Sequence, residues 1–132
     1  MNKKYLLLAL WIGCAAFAHA KNPPELNFVA SPKIPQDFRP KIGAGVANIQ
    51  IVNKTDQFIT FGLIGSDGNL RHGWTDGKSG PTVFYVGPSS QTDAKYPYRA
   101  AVGACFVIFT MDGRILGYGS PSKEGDFVLQ ID

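Results

Sequence analysis

Asp-Gly pairs punctuate this chain between short apolar runs, and they limit what it can fold into more than any other feature. Asp112-Gly113 stands between the apolar run Ala100 to Thr110 and Ile115-Leu116-Gly117-Tyr118. Asp67-Gly68 follows FITFGLIG, and Asp76-Gly77 precedes PTVFYVG. Glycine accepts the positive φ that a tight hairpin turn demands, so each pair predicts a reversal of an extended chain. Asn53-Lys54-Thr55-Asp56 separates VANIQIV from FITFGLI in the same manner. No stretch keeps a helical period of 3.6 for three turns. Extended runs are expected near 25–30, 45–52, 58–65, 69–74, 82–87, 99–110, 114–119 and 126–131.

Short strands with closely spaced turns predict an all-β fold: a single-domain antiparallel β-sandwich, immunoglobulin-like in general architecture, or a small barrel. Most runs are shorter than the roughly nine to eleven residues of a membrane-spanning strand, which argues against an outer-membrane barrel. Residues 21–44 read differently. Prolines at 23, 24, 32, 35 and 40 block ladder donation and helix interiors, so this stretch is expected to be a proline-rich extended arm laid over a sheet edge. The sandwich domain is expected over 45–132.

The first 20 residues have the three parts of a cleaved signal peptide. Lys3 and Lys4 form a basic start, LLLALWIGCAAFA is the apolar stretch, and Ala18-His19-Ala20 is a small-x-small cleavage site. The expected location is therefore secreted or periplasmic, with no transmembrane segment in the mature chain. The short Lys-rich leader points to a bacterial source. Trp11-Ile12-Gly13-Cys14 loosely resembles the lipobox of bacterial lipoproteins, which would instead place a lipid anchor on Cys14.

Cleavage after Ala20 removes two of the 13 Lys and Arg and none of the 10 acids, so the 112 mature residues carry a net charge of +1. No basic stripe remains to mark a nucleic-acid partner. Cys105 is then the sole cysteine, and an intramolecular disulfide is ruled out. Its apolar neighbours offer no base and no exposure, so it is expected to be a packing residue rather than a nucleophile.

Several runs are apolar on both strand faces: Phe58 to Ile64, Val83 to Val86, and Val102 to Ile108. Such strands must be covered on both sides, by the arm, by a second subunit in a homo-oligomer, or by a partner protein.

No catalytic constellation stands out. His72 is the one histidine of the mature chain, in the glycine-rich stretch 70–80, and Ser79 and Asp76 complete no recognisable nucleophile motif. One His with one Cys makes no zinc site, and Asp67-Gly68-Asn69 lacks the ligand series of a calcium loop. No cofactor is expected. Asn53-Lys54-Thr55 fits a glycosylation acceptor in form. Loop aromatics remain as anchors for a partner, because Trp and Tyr bury large area at small entropic cost. The expected binding residues are Arg71, His72, Trp74, Tyr96 and Tyr98. The expected function is an exported, non-enzymatic binding protein that recognises a protein or carbohydrate partner through these loops or an apolar sheet face. The alternatives are a small secreted hydrolase using His72 with a nearby acid, and a periplasmic enzyme inhibitor.

Overall fold

A computed structural model describes residues 22–38, 40–65, 67–73, 75–77, 80–82 and 85–132. The leader expected over 1–20, its Cys14 and the loop residue Trp74 lie outside the described residues. Among the described residues, ten strands follow a 3-10 turn, Pro24–Leu26. They are β1 (Val46–Asn53), β2 (Ile59–Ile64), β3 (Leu70–His72), β4 (Thr75–Gly77), β5 (Gly80–Thr82), β6 (Ser90–Gln91), β7 (Tyr98–Ala101), β8 (Cys105–Thr110), β9 (Ile115–Gly119) and β10 (Gly125–Ile131).

The strands form two packed sheets, as a sandwich requires. In the first sheet β1 is central, with β10 on one edge and β6 and β7 on the other. The second runs β3-β2-β8-β9, and β4-β5 is a separate hairpin. The barrel alternative does not form, because the two sheets are not joined into one closed ladder. One pairing departs from the antiparallel expectation. β1 and β10 run parallel over seven pairs, from Ala47 opposite Gly125 to Asn53 opposite Ile131.

β1 shows why the sheets pack. Ala47, Ile49, Ile51 and Asn53 are buried, while Asn48, Gln50 and Val52 alternate with them toward solvent. The inner row meets Phe61, Phe106, Ile108 and Leu129 in the central core. Within it, Phe61 stacks on Tyr98 at 4.7 Å and on Phe106 at 5.3 Å between ring centroids.

The run 99–110 is two strands in different sheets. Gly103 breaks it, with a φ of +88°. A Cβ there would lie 1.8 Å from the Lys41 carbonyl oxygen. Only glycine lets the chain pass that close and leave β7 for β8. The Asp67-Gly68 and Asp112-Gly113 turns form as expected, whereas Asp76 and Gly77 are residues of strand β4. Gly113 N–H donates to the Thr110 carbonyl at 2.9 Å, and Thr110 N–H donates to the Arg114 carbonyl at 2.9 Å. Gly65, Gly68 and Asn69 repeat the same two bonds between β2 and β3.

The arm covers both an edge and a face. Val29 exchanges two backbone hydrogen bonds with Tyr118, at 2.8 and 3.0 Å, and so shields the outer edge of β9. The expected strand 25–30 shrinks to this one bridge, because Pro23 and Pro24 set up the 3-10 turn instead. Farther on, Ile34 and Phe38 lie on Cys105, Val107 and Phe109, on the opposite side of β8 from the central core. The two-sided apolar character of β8 is thus satisfied within the chain.

Candidate functional site

Arg71 and His72 lie on β3, the exposed edge of the second sheet. Arg71 is held to Asp67 at 2.6 Å across the Asp-Gly turn. The Asn69 backbone N–H, with help from Arg71, keeps the Asp67 carboxyl below its ordinary range. The His72 ring stands edge-on to Phe109 at 5.4 Å and to Tyr85 at 6.0 Å. Tyr96 is half-buried in the turn that Asp93 closes, where Tyr96 N–H donates to the Asp93 carbonyl at 2.9 Å.

Tyr98 requires a correction. It is fully buried in β7, stacked on Phe61, with its hydroxyl bonded to the Thr60 side chain. Strand alternation points it inward beside Ala100, so it is a core residue and offers no contact surface. Arg71 and His72 belong to the second sheet and Tyr96 to the loop before β7 in the first, so the described ones among the expected residues do not form one patch.

Reactive groups are equally dispersed. Cys105 is a free, fully buried thiol, and burial pushes it up to about 11. No group of three or more His, Cys, Asp or Glu among the described residues could hold a metal ion. Asn53 of the glycosylation-like triplet is fully buried, so the folded chain cannot present it to a transferase.

A different surface emerges along β10. Gln130 N–H donates to Asn22 Oδ1 at 2.8 Å, and Asn22 Nδ2 donates to the Gln130 carbonyl at 3.2 Å. The backbone of Gln130 therefore points away from β1. Backbone direction alternates along a strand, so Asp126 and Val128 also aim their N–H and C=O groups outward. No described residue pairs with that edge beyond Asn22. Val128 is 48% exposed.

Hollows flank this edge. A trough of about 560 Å³ runs between the arm and the end of β10, lined by Asn22, Pro24, Phe28, Leu116, Gln130 and Ile131. A second, of about 540 Å³, shares Ala30, Leu116 and Asp132 with it and continues to Arg114. On the outer face of the first sheet, Arg99, Asn48 and Asp126 stand in one cross-strand row. Asn48 Nδ2 donates to Asp126 Oδ1 at 2.9 Å. A shallower hollow of about 300 Å³ lies there under Ala94 and Pro97.

Sequence reasoning missed these residues. The alternation of Asn48 and Gln50 with Ile49 and Ile51 marks a solvated face, but nothing local shows which strand ends a sheet. No protein-family model matches the chain, and no curated protein matches its sequence.

Proposed function

We propose that this is an exported, non-enzymatic recognition protein whose ligand is another protein. The observation that carries this reading is the outward-facing edge of β10, bordered on both sides by hollows in which polar and apolar groups mix. A strand edge offers directional hydrogen bonds, and adjoining troughs supply apolar area. That combination suits a polypeptide ligand. A carbohydrate is the second reading, favoured by the planar groups of Asn48, Gln50, Arg99 and Asp126 on the outer face of the first sheet. The hydrolase reading draws little support, since the ring contacts of His72 are the side chains of Tyr85 and Phe109.

The test places a photo-crosslinking amino acid at Val128, with Met111 on the β8–β9 turn as the exposed control. In cells making the protein, a crosslinked protein is expected from position 128 and not from 111. Glycan-array binding lost in Asn48→Ala would favour the carbohydrate reading. Ester or glycoside hydrolysis that disappears in a folded His72→Ala protein would overturn recognition altogether.

A further inference from the structure

We infer that the outer edge of β10 is a docking site for an extended, basic segment of a partner protein, which joins the first sheet as an additional strand. The inference rests on the recognition reading above and specifies its ligand. Asn22 shows what the edge accepts. Its carboxamide offers one N–H and one C=O in the arrangement of a peptide group, and both bond to Gln130. Two positions back along β10, Val128 presents the same pair of groups, and Asp126 presents them again.

Charge specifies the segment. Among the described residues, the exposed ionised side chains along the strand and at its approach are Glu124, Asp126 and Asp132 against Lys123; Arg99 stands on the far side of β1, and Arg114 at the far end of the second trough. An incoming strand, abutting Asn22 at Gln130, would place alternate side chains beside Asp126 and Val128 on the outer face, where Lys or Arg would meet Asp126. The intervening side chains would turn toward the trough, where Phe28, Leu116 and Ile131 offer apolar contact among polar groups. The ligand is therefore a stretch in which basic and apolar residues alternate.

The probe is a capped heptapeptide alternating Lys and Val, titrated into the whole mature protein and followed by amide NMR and hydrogen exchange. Docking is expected to slow exchange at Asp126 and Val128, whose N–H groups otherwise face solvent. Asp126→Asn keeps the bond to Asn48 sterically possible and should weaken binding ~3-fold while flattening its salt dependence. Val128→Pro removes an outward N–H at an edge position that tolerates proline and should weaken binding ~10-fold. A heptapeptide alternating Glu and Val should bind more weakly than the Lys peptide.

Unchanged exchange at Asp126 and Val128 in the saturated wild-type protein would overturn the inference, and that reading does not depend on how well any variant folds. Equal binding of the Lys and Glu peptides would overturn the charge assignment. Crosslinking at Val128 without strand docking would remove this mode and leave protein recognition standing. No crosslink and no peptide binding would remove both.

Discussion

Asn53 ends β1 with five polar atoms within hydrogen-bond distance of its carboxamide. The two N–H groups of Nδ2 are shared among the carbonyls of Gln57, Val86 and Gly87 at 2.7, 3.0 and 2.9 Å. Oδ1 accepts from the N–H and hydroxyl of Thr55 at 2.9 and 2.7 Å. One side chain thereby joins the β1–β2 turn to the chain around Val86. Asn53→Ala removes this link, although the Val86 carbonyl keeps the Ile59 N–H and the Gln57 carbonyl keeps the Thr55 hydroxyl, so urea unfolding should show a loss of about 2 kcal/mol. Cys105 makes a second residue-level prediction. Burial raises its thiol from 9.0 to about 11, and burial raises the Tyr98 hydroxyl from 10.0 to about 12. The unfolded chain gives up these protons first. Stability is therefore fully present below pH 9 and falls as pH rises toward 11 and beyond. Urea midpoints measured from pH 8 to 11 should decline above 9, and Cys105→Ala should shallow that decline.

At the scale of elements, Gly103 and the arm decide how the sheets are connected and covered. Gly103→Ala forces a Cβ into the Lys41 carbonyl at a positive φ. It should cost at least about 3 kcal/mol in the same unfolding assay. Phe38→Ala thins the cover over Cys105, where Phe38 also meets Tyr118 edge-on at 6.0 Å. Thiol labelling of the folded variant should run at least ~10-fold faster than in the parent, because local opening becomes easier. Much of this level is legible from residue order. Asp112-Gly113 announces the β8–β9 hairpin, the alternation across 46–53 announces β1, and five prolines announce the arm. Other features depend on what lies across the fold. Gly103 sits in an apolar run that reads as one strand until Lys41 arrives beside it. Tyr98 reads as a loop anchor after a polar turn, and only the opposing Phe61 makes it core. The openness of β10 exists only by reference to which strands stand next to it.

For the whole molecule, the expected export remains a proposal with a direct measurement. Intact mass on each cell fraction should find Lys21–Asp132 in the periplasm or medium, and an acylated species beginning at Cys14 would move the protein to the membrane. Order of synthesis matters as well. β1 lies near the start of the strand-forming chain, and its parallel neighbour β10 is the last strand, with register fixed over seven pairs. Ending the chain before Gly125 would remove Leu129 and Ile131 from the core and leave one side of Ile49 and Ile51 bare. That truncated chain should show no cooperative unfolding transition. Closure of the first sheet must also bridge some eighty residues, and pairings so distant make folding slow. The first sheet thus stays open along one side of β1 until β10 pairs with it, so the contact that completes the core joins the two most distant strands described.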